Sequence, residues 1–397
     1  MVLIREREMV EGIEAEGSRS PLVRTMMEEL RPYTVTATRL EQGSIHQVPP
    51  NIREGDPGSY EPQILSVGPY HHGNSKLKAM EEYKWRYLHN LLRKHQSRSI
   101  ESLLEGCIEV VRGSEERARS YYLEPVDLKP DDFVKMMVLD GCFMVQLLLI
   151  LRGQEDDLIH TVGWLSSLVR RDILKLENQI PFFILEALFD VAVERPRSLR
   201  QYAFDYLMGG DYEMPLAEHE IYHLLHFYDV VLLPEGPESP NTSTNTLSVL
   251  EKMRRFTSRS FTLPTWREPK PTDKMSETTI PCAVELGEVG IKLRRKPAEN
   301  FLDVTFQDGT LSIPFLSIGQ RTNSVFKNLV ALEQCHPDVG SHFTWYMAFL
   351  NCFVNTQLIN LENMLSVEEA AQLINLFDTE MIFTRRNHKF AELFREV

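Results

Sequence analysis

Pro130-Asp-Asp-Phe133-Val-Lys135-Met-Met-Val-Leu-Asp140-Gly-Cys-Phe143-Met-Val-Gln146-Leu-Leu-Leu-Ile-Leu151 decides what kind of protein this is. From Phe133 to Leu151 the chain is almost unbroken apolar sequence, long enough to cross a bilayer as a helix. Its polar residues argue against that. Lys135 and Asp140 lie inside the run, and one carboxylate at mid-bilayer costs roughly 2.5–3.5 kcal/mol on insertion scales. Pro130-Asp-Asp is also a good start for a helix in a soluble protein. The stretch therefore reads as a buried core helix, and the chain holds no convincing transmembrane span.

Helices dominate on both sides of it. Leu77, Met80, Lys84, Tyr87, Leu88, Leu91 and Leu92 recur in steps of three and four, which predicts one apolar face on a helix over 76–94. Leu103, Leu104, Cys107, Ile108 and Val111 repeat the pattern, in a helix continuing through Arg119. Downstream, helices are predicted at 161–175, 181–194, 199–208 and 216–227. Short connections between 76 and 228 suit a compact helical body. Upstream, 45–73 is rich in Pro, Gly and Asn and reads as irregular chain. It has one extended stretch at 63–67 that stops at Gly68-Pro69. Residues 1–44 read as a mobile arm with at most a short helix at 22–30.

Residues 234–281 crowd Pro, Ser, Thr, Asn and Glu together, a composition for a disordered linker or long surface loop, with one short helix possible at 247–259. The strong β signal follows. Phe301–Phe306 and Thr310–Pro314 flank Gln307-Asp308-Gly309, and Asp-Gly between alternating runs predicts a hairpin turn. A third strand is expected at 290–295, then helices at 324–335, 341–355, 367–377 and 388–396. The expected fold is mainly α: a multi-helix globular body with a small antiparallel β-hairpin element near 290–314. Its parts are the 1–44 arm, a helical part over 45–233, the 234–281 linker, and the hairpin with C-terminal helices over 282–397.

Composition narrows function by exclusion. A net charge of −14 on 397 residues argues against nucleic-acid binding, which needs a clustered basic face. The best basic run, Lys292-Leu-Arg-Arg-Lys296, reads as a solvated strand end. The five cysteines are scattered without a Cys-x-x-Cys pair, as expected for reduced thiols in a cytosolic setting. No signal-peptide core follows Met1-Val-Leu-Ile4, so the sequon Asn241-Thr-Ser243 carries little weight.

The sharpest catalytic string is His219-Glu220-Ile-Tyr-His223. On a helix, His219 and His223 would share a face and could bind zinc, with Glu220 as general base and His226 nearby. The distal ligands of such peptidases are not recognisable. The favoured reading is a helix whose histidines pack against Leu224, Leu225 and Phe227. A zinc-dependent hydrolase is kept as the alternative. Cys142, inside the apolar helix, should be an inert thiol with a raised pKa. His71-His72 sit on a turn, where their ring N–H groups are expected to bond backbone carbonyls, with a metal pair as the alternative. Glu177-Asn178-Gln179, next to Ile180-Pro181, can cap orphan backbone groups and join Asp140 and Lys84 in a buried network. No cofactor is implied.

The resemblance rests on runs in a fixed order. They are Ile45-His-Gln-Val-Pro49, Tyr60-Glu-Pro-Gln-Ile-Leu-Ser-Val-Gly68-Pro69-Tyr70-His71-His72-Gly73, Met80-Glu81 with Lys84, and Met136 to Asp140-Gly141-Cys142-Phe143. Asp172 to Phe183 (with Glu177, Asn178, Gln179 and Pro181), His223-Leu-Leu-His226, Phe301 to Pro314 and Asn328 to Gln334 complete them. Together they resemble the plant family called domain of unknown function 247, over roughly 45–395. His219-Glu220 stands outside the family pattern, and Lys175 and Gln146 replace residues that tend to be apolar and acidic. The resemblance implies no established enzymatic activity, a C-terminal membrane helix in most members, and a link to self-incompatibility in some grasses. The expectation is a non-enzymatic interaction protein with protein partners of unknown identity and no nucleic acid, its membrane contact implied by resemblance alone. It would be cytoplasmic as the chain stands, or membrane-anchored if a helix followed Val397.

Overall fold

Helix α6 (Pro130–Leu149) is the axis of the molecule. Pro130 opens it, Asp131 and Asp132 complement the positive end of its dipole, and from Phe133 to Leu148 only Lys135 is exposed. A helix apolar on every side must be enclosed, and this one is, by α3 (Glu81–Arg93), α4 (Ile100–Arg112), α8 (Phe182–Ala192) and α9 (Leu199–Met208). A methyl group at Gly141 would lie 2.4 Å from Leu188 Cδ1, so glycine there is what lets α8 cross closely. The described residues contain no helix long and apolar enough to cross a membrane.

This computed structural model describes residues 44–95, 97–150, 162–194, 197–208, 219–233, 291–296, 304–314 and 320–354, with isolated positions at 22, 23, 25–27, 159, 286, 288, 290 and 302. Positions 22, 23 and 25–27 are helical. The rest of the predicted arm, the 234–281 segment and the helices expected at 367–377 and 388–396 lie outside the described residues.

The segment over 44–73 carries two short helices that the sequence did not announce, α1 (Pro50–Gly55) and α2 (Pro57–Tyr60). Each has proline in its first turn, the position where proline's missing N–H costs nothing. Residues 75–80 form a 3₁₀ helix before α3, with the Asn74 side chain accepting a bond from the Lys76 N–H at 3.0 Å. The helix expected to run on to Arg119 breaks at Gly113, a weak helix former, and restarts as α5 (Glu115–Ser120). Helix α7 (Gly163–Asp172) leads through a turn to α8. Helix α10 (Leu224–Leu232) begins eight residues later than the predicted 216. Ahead of it, 221–223 run extended beside Pro181, and Phe182 donates its N–H to the Tyr222 carbonyl at 2.7 Å.

The sheet contains the expected antiparallel hairpin and extends it to a mixed sheet. Strands β2 (Thr305–Gln307) and β3 (Thr310–Pro314) do form the hairpin, with Asp308 and Gly309 at φ 50° and 73° in the turn. Strand β1 (Lys292–Lys296), however, pairs with β3 in parallel, so the order is β1-β3-β2 in a mixed sheet. A tight turn dictates antiparallel pairing, but the longer connection after β1 dictates nothing, which is why its direction was not legible.

Helices α11 (Gln320–Cys335) and α12 (His342–Val354) complete the described chain. Helix α11 packs on α2, α7, α10 and α12, which joins the C-terminal part to the N-terminal body.

Candidate functional site

The polar residues of the runs quoted above converge beneath the strap of chain over 44–70. Residues 63–68 look like a strand but pair with no other strand among the described residues; side chains take up the N–H groups of Gln63, Ile64, Leu65, Val67 and Gly68 instead. The Asp172 carboxylate, at the end of α7, accepts bonds from the N–H groups of Gln63, Ile64 and Leu65 at 2.8–3.0 Å. Asn178 Oδ1 accepts from Val67 at 2.7 Å, and Asp140 Oδ2 accepts from Gly68 at 3.0 Å. Gly68 has φ 75°, and a Cβ there would meet the Gln179 carbonyl at 2.4 Å, so no other residue fits.

Below the strap, Lys84 Nζ lies 2.6 Å from Asp140 and 2.7 Å from Glu81. Lys84 and Asp140 are almost wholly excluded from solvent. Burial alone would depress the ammonium, and the facing Asp140 charge reverses that and keeps it protonated. Glu177 reaches the other end of the strap. Its carboxylate accepts from the Val48 N–H at 2.6 Å, pairs with Arg53, and meets His71 Nε2 at 3.0 Å. His71 thus bonds a carboxylate rather than the backbone carbonyl expected of it, and His72 points to solvent. Tyr70 donates to the Glu124 carboxylate at 2.5 Å and meets Tyr122 edge-on; the Tyr122 hydroxyl donates to the Gln179 carbonyl at 2.9 Å. Pro69 starts the turn at 69–72 through its carbonyl.

Asn178 and Gln179 face inward and serve helix ends. The Asn178 amide donates to the carbonyls of Leu65 and Asp172, both at 2.9 Å. The Gln179 amide donates to the carbonyls of Ile173 and Lys175 at 2.8 and 2.7 Å, and its oxygen accepts from the Leu225 N–H, an orphan donor in the first turn of α10. Pro181 is the N-cap of α8. Tyr60, Cys142 and Phe143 are buried core residues, with Phe143 packed on Tyr87.

Sequence reasoning missed Asp172, Lys175 and Asn328 as members of this set. Lys175 donates to the carbonyls of Gly58 and Ser59 at 3.0 and 2.9 Å, and burial draws its ammonium down to about 8. Asn328 on α11 accepts from the Leu176 N–H at 2.9 Å and donates to the Ser59 carbonyl at 2.8 Å. Beside them Lys327 pairs with Asp56 at 2.9 Å. One signal was available: Asp172 falls in the last turn of its helix, where the dipole disfavours an acid, so it needed another reason to be there.

His219 and His223 do not share the helix expected of them, the arrangement on which the zinc alternative depended. Residues 219 and 220 are exposed and non-helical, and His223 is the extended N-cap of α10. His223 Nδ1 accepts from the His226 N–H and its Nε2 donates to the Ser44 carbonyl, both at 3.2 Å, so both nitrogens are occupied in a neutral ring. His226 Nδ1 accepts from the Tyr222 N–H at 3.1 Å, and the Tyr222 ring lies between His226 and His336 at 4.5 and 4.7 Å. Burial, with His336 and His219 adding to it, holds the His226 ring down at about 3. The described residues contain no group of three His, Cys, Asp or Glu that could hold a metal ion. Behind this cluster, Asp229 is fully buried with neither carboxyl oxygen bonded among the described residues, and burial with Glu333 opposite pushes it well up. Glu333 accepts from the Phe343 and Thr344 N–H groups at 2.7 Å, and burial raises it to about 7.

Comparison with known proteins adds the lineage. Residues 45–397 match the family described as a plant protein of unknown function, domain of unknown function 247. UPF0481 protein At3g47200 of Arabidopsis thaliana is 30% identical over 329 residues, a match covering 80% of this chain and 66%, just under two thirds, of that protein. A second Arabidopsis thaliana UPF0481 protein, At3g02645, is 22% identical over 414 residues, covering 84% of this chain and 77% of that one. No solved structure matches.

Proposed function

Because the chain belongs to this plant family of unknown function, we propose that it is a non-enzymatic recognition protein whose buried polar motifs build a scaffold and whose outer surface meets a protein partner. One observation carries the reading. Asp140, Asp172, Glu177, Asn178 and Gln179 are buried, and their side chains bind strap backbone, helix ends or the Lys84 ammonium rather than facing a cleft. What the described body offers to solvent is different in kind: Trp164 and Trp85 stand 65% and 49% exposed, and tryptophan anchors are the side chains that carry most interface energy. A setting at a plant membrane, of the kind linked to self-incompatibility in grasses, follows from the resemblance alone and belongs to the proposal.

The test expresses the tagged full chain in plant tissue and compares proteins crosslinked to it with those crosslinked to Trp164→Ala and Trp85→Ala. A partner of fixed stoichiometry, lost in at least one folded variant, is the expected result. The rival zinc-hydrolase reading needs His219 and His223 on one helical face, and α10 starts after both. Stoichiometric zinc in the purified protein, lost in His219→Ala, would overturn the interaction reading.

A further inference from the structure

The sheet has two faces of opposite character, and the strand register sorts them. Leu293 lies opposite Leu311, and Leu311 opposite Phe306. This row faces the body, where Leu311 and Ile313 are buried and Leu293 and Phe306 pack against the core. Side chains alternate along a strand, so the residues between them take the outer face. There Lys292 lies beside Thr310 and Gln307, Arg294 beside Ser312 and Thr305, and Lys296 beside Pro314. One bond spans that face: Lys296 Nζ on β1 donates to Thr305 Oγ1 on β2 at 3.1 Å.

The outer face is thus a row of three cations with hydroxyl and amide side chains next to it. Lys292, Arg294, Thr305 and Gln307 are exposed. No position of the face holds a carboxylate, and the acid of the hairpin, Asp308, sits in the turn. On a chain of net charge −14 this concentrates the minority sign in one place. Cations on an edge strand also guard it against pairing with a wrong neighbour, which by itself would account for one or two of them. Two features go further. The cations stand on every second residue, about 6.7 Å apart, which is the repeat of an extended chain. Strand β1 is also an edge of the sheet among the described residues, the kind of place where an extended segment adds.

We propose that β1 is the docking edge for an extended acidic segment of a partner protein, with Asp or Glu on alternate residues against Lys292, Arg294 and Lys296. The inference rests on the reading of the chain as a recognition protein and adds a second surface to the tryptophans. Carboxylates on the added strand would face the cations as cross-strand pairs, with Cβ atoms roughly 5 Å apart. Backbone bonds along the edge supply affinity, and the charge row selects which segment is taken. Three cations are too few to hold a bilayer or a nucleic acid against the charge of the whole chain, because those contacts strengthen with each phosphate neutralised.

The test is fluorescence anisotropy on the full-length protein with a labelled peptide that alternates Glu with Thr and Val. A control peptide has the same composition with its glutamates in one block. The alternating peptide should bind more tightly than the block peptide and lose affinity as salt rises. Lys292→Glu with Arg294→Glu reverses two exposed cations and should weaken binding by about tenfold or more. Lys76→Glu with Lys78→Glu makes the same charge change at exposed positions of the 3₁₀ helix and should leave binding unchanged. Circular dichroism checks that both double variants fold. Equal affinity for the two peptides overturns the proposal, as does equal loss in the two double variants. Absence of peptide binding overturns it as well. If binding to phosphatidylserine–phosphatidylcholine vesicles then appears and is lost in Lys292→Glu/Arg294→Glu, the occupant is a membrane. Trp85→Ala and Trp164→Ala should bind the peptide as the wild-type protein does. A crosslinked partner without peptide binding therefore rejects β1 as the docking edge and leaves the recognition reading standing.

Discussion

The strap at 63–68 and the hairpin at 305–314 start from similar text and reach opposite solutions. Both are short extended runs that turn at a glycine with positive φ, 75° at Gly68 and 73° at Gly309. In the hairpin, Thr305, Phe306 and Gln307 pair with Ser312, Leu311 and Thr310, so the backbone satisfies itself within a few residues. In the strap, the N–H groups of Gln63, Ile64, Leu65, Val67 and Gly68 go to side chains between 72 and 111 residues away. A hairpin needs only its turn. The strap needs the whole helical body in place before any of its bonds can form, so its stability should be the body's own.

Removing the deepest of those acceptors tests the claim most severely. Asp140→Ala leaves Lys84 in the core with only the half-exposed Glu81, and breaking one side of a buried ion pair costs about 3–5 kcal/mol. Urea unfolding should show that loss, and amide exchange should show protection falling along α3, α6 and the strap together. An unchanged midpoint would break the comparison outright. Asp172→Ala is next, at about 3 kcal/mol, because it strands three backbone donors of which Gln63 can turn to water. Loss of protection at 63–65 without any change in global stability would mean the strap docks as a separate unit.

The same contrast explains what could be read beforehand. The axis helix, the Lys84–Asp140 link and the Asp308-Gly309 turn were legible because periodicity, an unexplained charge in an apolar run and turn chemistry are all local signals. The partners of Glu177, Asn178 and Gln179 were not. A sequence shows that Gln179 can cap a helix, but not that Leu225 supplies the donor. The helix expected through His219 and His223 failed for a related reason: pairing with Pro181 and capping by His223 override its apolar spacing, and both depend on distant chain. Asp172 and Asn328 act only across the fold, which hid them.

A pH series separates the two regions more gently. Lys175, which grips the carbonyls of Gly58 and Ser59, titrates near 8 in the folded chain against its ordinary 10.5. Between those values the unfolded chain binds more protons, so this group's contribution is fully present above pH 10.5 and is lost as pH falls to 8. Relative to Lys175→Met, the wild-type protein should therefore gain on the order of 2 kcal/mol between pH 8 and 10.5, a value discounted from the full shift for local relaxation. Urea midpoints for the two proteins at several pH values give the difference directly. A constant difference would place the ammonium in water.

The smallest effect is expected at the hairpin. Gly309→Ala puts a Cβ on a residue at φ 73°, where side chains are strained, but nothing lies within 4 Å of that Cβ. The cost should be the conformational one alone, about 1 kcal/mol. It should appear as faster exchange of the amides paired between β2 and β3, with protection in α3 and α6 unchanged. Gly68→Ala has the same backbone strain and, in addition, a carbonyl 2.4 Å from the new atom, so it should cost more and loosen the body. Equal losses at the two glycines would show that the hairpin, too, is held from a distance, through contacts of β3 with the core around Leu311 and Ile313.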